Sequence, residues 1–182
     1  MMFPTVENAL LVVVDMPAKL MPAMSDNENI IRRAEIMISG AAELGLDTVV
    51  TEQYPKGLGY TLPELSSKLP ESTPVIEKSA FSVFKSAEFN TFLSGRKRDV
   101  LIFAGVEMHV CLLQSVLDAL ANGYEVIVVA DAVGSRKNSD RNLAIEAVRQ
   151  AGAWVLSSES ILFMLMRDSK NPHFKAVSGL IK

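Results

Sequence analysis

One cysteine, two histidines and one tryptophan in 182 residues leave several chemistries without their parts. A lone thiol cannot close an internal disulfide or serve as half of a redox pair, so a reducing, cytoplasmic location is expected. The two histidines, His109 and His173, form no cluster with metal-ligand spacing, so no metal and no cofactor are expected. His109 stands two residues from Cys111, and residues so spaced on a helix do not face each other, which argues against a Cys–His dyad. Basic charge is not in excess either: 18 Lys and Arg stand against 21 Asp and Glu, for a net charge of -3. Neither nucleic acid nor an anionic membrane is expected as a partner. The opening stretch MMFPTVENALLVVVDMP has no basic leader region, and its apolar run is too short for a signal or a membrane span. Repeats, low-complexity tracts and linkers are missing. GLG at 57–59 lacks the Lys-Ser/Thr of a phosphate loop.

What remains is a globular composition, 49% hydrophobic and 21% charged, read as a single domain over 1–182. Strand and helix alternate along it. ALLVVV (9–14) is a β-branched run suited to a strand buried on both faces. A helix follows over 25–45, with Ser25 or Asp26 as its N-cap and Gly45 as its stop. Strands are expected at 46–51, 73–78, 99–105, 124–131 and 153–158. Helices are expected at 86–94, 109–123, 139–152, 158–168 and 171–182, and 54–63 reads as a loop. Such alternation predicts a three-layer α/β/α sandwich around a mostly parallel sheet, with right-handed crossovers.

In open α/β sheets, sites form outside the carboxyl ends of strands. Asp15 closes the first strand, Glu77 and Lys78 the third, and Asp131 the fifth. Cys111 follows the fourth, on the first turn of the next helix. Taken singly, each has an ordinary role: a buried thiol is a small hydrophobe, a strand-end aspartate caps or turns, and a loop lysine is solvated. Asp131 reads as a turn residue and the following SRK as a solvated loop. Jointly, a carboxylate, an ammonium and a thiol at three strand ends are the parts of an activated nucleophile. A helix start would favour the Cys111 thiolate.

Asp15, Lys78 and GVEMHVC after the fourth strand resemble the isochorismatase-like cysteine hydrolases. With TEQYPKGLG at 51–59, EKSAFSVF at 77–84, Gln114 and the tail NPHFKAVSGLIK, the chain is similar to the isochorismatase-domain subgroup of undefined substrate. The resemblance implies a six-stranded sheet of order 3-2-1-4-5-6 and a catalytic triad of Asp15, Lys78 and Cys111. It also implies a cis peptide between Val106 and Glu107, an oxyanion hole from the backbone N–H groups of Glu107 and Cys111, and a homo-oligomer. Leu20, Tyr54, Phe81 and Val106 are the candidate substrate-lining residues. Two departures stand out. Pro17 occupies the position where the family commonly has Gln, and the end of the second strand lacks the metal-binding histidines of nicotinamidase relatives.

The expected activity is hydrolysis of a small amide-like or related acyl substrate through a thioester on Cys111, with Asp15 as base. The alternatives are a non-catalytic binding or scaffold protein, or a redox-sensing thiol, on the same fold.

Overall fold

The computed structural model describes residues 2–182. Six strands form one sheet: β1 (Ala9–Val14), β2 (Thr48–Gln53), β3 (Val75–Lys78), β4 (Val100–Val106), β5 (Glu125–Gly134) and β6 (Trp154–Leu156). The order is β3-β2-β1-β4-β5-β6, and every strand pair is parallel. β1 is buried at all six positions because both of its faces are covered by helices. Leu11 and Val13 face a core shared with α1 (Asn27–Leu44), α7 (Ser158–Met166) and α8 (Phe174–Ile181). Leu10, Val12 and Val14 face the opposite core, built with α4 (Ala87–Ser94), α5 (Leu113–Ala121) and α6 (Asn138–Gln150). The alternation of side chains across a strand produces this division.

The sheet order switches at β1, whose neighbours β2 and β4 feed helices to opposite faces. The crevice at the carboxyl ends of these strands is where Asp15, Lys78 and Cys111 converge. Gly105 permits the closest approach there. Its φ is +122°, and a Cβ would lie 1.9 Å from the Val14 carbonyl oxygen. No side chain fits at that position beside Asp15.

Several boundaries differ from the sequence expectation. The 54–63 loop contains two short helices, α2 (Pro55–Leu58) and α3 (Pro63–Ser66, overlapping its end). It also runs antiparallel to the segment after β1. The Ala18 N–H donates to Tyr60, the Leu62 N–H donates to Met16, and Pro17 pairs with Thr61 between them. Pro17 therefore occupies a position of this ladder that donates nothing, so its missing N–H has no cost there. Asp26 sits at the N-cap of α1 but in a left-handed conformation and without a side-chain cap bond. Ser25 instead gives its backbone N–H to Ser135 and its hydroxyl to the Arg136 carbonyl.

β5 runs three residues past the expected end, to Gly134, because its register to β4 shifts between Phe103 and Gly105. Asp131 lies inside this irregular strand and is no turn residue. Its carboxylate accepts from the Ser158 N–H and hydroxyl, both at 2.8 Å, and so fixes the start of α7. SRK is not simply solvated either: Ser135 is fully buried and Arg136 is paired with Glu107.

Candidate active site

Asp15 leaves β1 with φ +48°, a backbone conformation that L residues seldom adopt. That turn keeps its carboxylate at the strand end, 1% exposed. Oδ1 accepts from the Thr51 hydroxyl at 2.8 Å, and Oδ2 accepts from Lys78 Nζ at 2.5 Å. Lys78 comes from the end of β3, two strands away. Its Nζ also reaches Gln53 Oε1 at 2.7 Å and the carbonyls of Phe81 (3.0 Å) and Ala80 (3.2 Å). The Cys111 thiol completes the group, close enough to Asp15 and Lys78 for both charges to act on it.

Cys111 does not lie on a regular helical turn. Residues Met108–Leu112 form a π-helical turn ahead of α5. The Glu107 carbonyl accepts from the N–H groups of Val110 and Leu112, on either side of Cys111. An α-turn would have taken the Cys111 N–H for that carbonyl. The peptide between Val106 and Glu107 is cis. Below, Ser115 donates to the Cys111 carbonyl at 2.6 Å and accepts from the Val83 N–H at 3.0 Å. This ties the Cys111 turn to the loop after β3.

Burial dominates the site's electrostatics. It pushes the Asp15 carboxyl above the ordinary carboxylate range, while Lys78 and Thr51 pull it back. The Cys111 thiol is pushed up to about 12, first by burial and then by the Asp15 charge, with Lys78 and the Glu107 N–H acting in the opposite sense. The expectation that a helix start would favour thiolate is therefore corrected: desolvation and a facing carboxylate outweigh it. At rest Cys111 is a thiol beside the Asp15 carboxyl.

The remaining expected residues divide. Tyr54, at φ +44° and 61% exposed, donates its N–H to the Lys78 carbonyl at 3.0 Å. Its ring lies against Gly57, where a Cβ would meet it at 2.1 Å. Phe81 is half exposed beside its Lys78-bound carbonyl, and Leu20 is half-buried against the α1-side core. Val106 does not reach the site. Its side chain is fully buried in that same core, so it offers no surface to a substrate.

Thr51, Gln53 and Arg136 were not foreseen. Gln53 bridges Lys78 Nζ and the Ser79 carbonyl, the latter at 2.6 Å. Arg136 gives its backbone N–H and its Nε to Glu107 Oε2, at 3.1 and 3.0 Å. His109 hydrogen-bonds Ser135, not Cys111, at 2.9 Å. Among the described residues, no group of three or more His, Cys, Asp or Glu is placed to hold a metal, and no helix is long and apolar enough to cross a membrane.

Residues 9–160 match the isochorismatase domain family. The chain belongs to that family. Isochorismatase family protein 1B of Dictyostelium discoideum is 36% identical over 180 residues, which cover 97% of this chain and 87% of that protein. Among solved structures, the MAR1 ribonuclease from Caenorhabditis elegans superposes with a TM-score of 0.94 at 38% identity, covering 99% of this chain and 92% of its own. YcaC from Pseudomonas aeruginosa, determined with hexane-2,5-diol and covalent acrylamide, gives 0.91 at 26% identity over 97% and 90%. As a member of the isochorismatase-like hydrolases, the chain is a hydrolase by family, with the six-stranded sheet those relatives share.

Proposed function

We propose that this hydrolase is a cysteine hydrolase of small amide-like or related acyl substrates, acting through a thioester on Cys111. One observation carries the reading: the thiol lies within reach of the charge of a buried carboxylate whose hydrogen-bond partners are Lys78 and Thr51. Asp15 takes the thiol proton as sulfur attacks the acyl carbon. Its raised pKa makes it a better base than an ordinary carboxylate, and the proton need not leave before the S–C bond forms. Lys78, hydrogen-bonded to Oδ2, holds the carboxylate in place throughout. The tetrahedral oxyanion is met by the N–H groups of Glu107 and Cys111. Its collapse breaks the C–N bond, and the amine departs with the proton held by Asp15. Water then adds to the thioester carbon, its proton passing by way of Asp15 to sulfur, which releases the acid and restores the thiol.

Tyr54, Phe81 and Leu20 are assigned to the mouth of the site. The covalent acrylamide in the YcaC relative accords with an acyl-compatible cleft. Cys111 must stay reduced to act, which places the protein in a reducing compartment such as the cytoplasm. Homo-oligomerisation is part of the same reading, with exposed Leu117 on α5 and Leu143 on α6 as the apolar surface available.

A panel of small amides and imides, assayed for ammonia release with wild type and Cys111→Ala, tests the proposal. Turnover lost in the variant is expected. Turnover that survives Cys111→Ala, or cleavage of RNA that depends on Cys111, would contradict it. The latter arm addresses the ribonuclease relative. A polyanion is disfavoured here by the net charge of -3.

A further inference from the structure

Three consecutive carbonyls after β3 are held by two side chains of the site. Gln53 Nε2 donates to the Ser79 carbonyl at 2.6 Å, and Lys78 Nζ reaches those of Ala80 at 3.2 Å and Phe81 at 3.0 Å. Residues 79–82 belong to no helix or strand, and Ser79 and Phe81 are exposed, so the segment is held from beneath. Its far end is bonded as well. The Ser82 hydroxyl donates to Asp118 at 2.7 Å, and the Val83 N–H donates to Ser115, which donates in turn to the Cys111 carbonyl. The segment that carries Phe81 thus runs from Lys78 to the Cys111 turn.

Gln53 serves both Lys78 and Ser79, and a count of donors separates the two bonds. Lys78 Nζ has four oxygens within 3.2 Å, from Asp15, Gln53, Ala80 and Phe81. An ammonium has three N–H donors. Without Gln53, the three remaining oxygens still satisfy it. The Ser79 carbonyl has no such reserve: among the described residues, Gln53 alone donates to it.

We propose that Gln53 is a positioning residue whose task lies at Ser79: it fixes the segment that carries Phe81, and so sets how a substrate is held more than how fast the thiol reacts. This rests on the reading of Cys111 as the nucleophile with Phe81 at the mouth of its site. It goes further in assigning the hold on that mouth to Gln53.

Two variants test it. Gln53→Met keeps the length of the side chain and loses both bonds. Gln53→Glu keeps an acceptor for Lys78 and loses the donor to Ser79. Stopped-flow acylation of Cys111 by p-nitrophenyl acetate, followed over ester concentration, separates the half-saturating concentration from the limiting rate. In that reaction the S–C bond forms, the C–O bond breaks, p-nitrophenolate leaves, and the thiol proton passes by way of Asp15 to the buffer. The half-saturating concentration should rise about tenfold in both variants, the worth of one hydrogen bond. The limiting rate of Gln53→Met should change less than that. A role confined to stability would lower only the fraction of reactive protein, read as the burst amplitude. A half-saturating concentration that stays at the wild-type value in both variants overturns the proposal. Amide hydrogen exchange reads the segment without any chemistry. The Val83 and Phe84 N–H groups, which donate to Ser115 and Ser82, should exchange about tenfold faster in Gln53→Met than in wild type, with α5 unchanged. Equal exchange overturns the proposal as well, and this arm decides it even where wild-type Cys111 takes no acetyl group, a result that removes the hydrolase reading alone.

Discussion

Two ion pairs stand at the carboxyl end of the same sheet and behave as opposites. Lys78 and Asp15 meet at 2.5 Å with both side chains 1% exposed. Arg136 and Glu107 meet at 3.0 Å, but the arginine is 61% exposed and the glutamate 10%. The first pair is fully desolvated, and removing either member leaves a buried group without its partner. The second is wet on one side, so water can replace the guanidinium if it is removed. The dry pair sits beside the Cys111 thiol. The wet pair only steadies Glu107, ahead of the Cys111 turn. Depth of burial, more than residue type, separates the two pairs.

Breaking the dry pair should have the largest effect. Lys78→Ala leaves the Asp15 carboxylate unpaired in the interior, and a loss of about 3–5 kcal/mol in urea-unfolding stability is expected. A loss below about 1 kcal/mol, the scale of a surface pair, would erase the contrast.

The same pair also has a signature in pH. Burial raises the folded-state pKa of Asp15 above its ordinary 3.8. The resulting contribution to stability is fully present below the unfolded value and is lost as pH rises through the folded one. Wild-type stability relative to Asp15→Asn should therefore fall as pH rises above about 4. A difference that stays flat, or grows with pH, would mean that Lys78 overcomes burial. For Cys111, pushed up to about 12, the iodoacetamide rate should still be climbing at pH about 10, where an ordinary thiol has levelled off. A plateau near 8.5 would show an unperturbed sulfur.

Gln53 sharpens the comparison from within the dry group. Gln53→Ala removes one Lys78 acceptor and should cost about 1–2 kcal/mol. Gln53→Glu places a second carboxylate on the same ammonium, weakens its hold on Asp15, and should move the Cys111 alkylation profile further upward. An unchanged profile in Gln53→Glu would reduce Gln53 to a strand tether.

The wet pair should give the smallest effect. Arg136→Ala is expected to cost less than about 1 kcal/mol, shrinking further in high salt. A cost matching that of Lys78→Ala would show that the two pairs are equally buried in energy.

Much of the fold was legible because burial writes a pattern. ALLVVV matched β1 at both ends, since a strand covered on both faces must be apolar throughout. Asp15 and Lys78 were visible as polar residues closing apolar runs. The rest of the site was hidden by distance along the chain. Thr51 binds Asp15 across 36 residues and Gln53 binds Lys78 across 25, contacts that no local periodicity encodes. Arg136 looked like a solvated residue because its partner Glu107 lies 29 residues away. The π-turn at Met108–Leu112 was read as ordinary helix because both place apolar residues at similar spacing. Val106 was expected among the substrate-lining residues. Strand alternation turns its side chain into the α1-side core.

Acylation of Cys111 itself tests the central claim most directly. p-Nitrophenyl acetate delivers a small neutral acyl group, and intact mass with peptide mapping locates it. One acetyl group on Cys111 is expected, formed at least about a hundredfold faster in wild type than in Asp15→Asn, the scale of a lost general base. Acetylation at another residue, or equal rates in the two proteins, would contradict a nucleophile activated by Asp15.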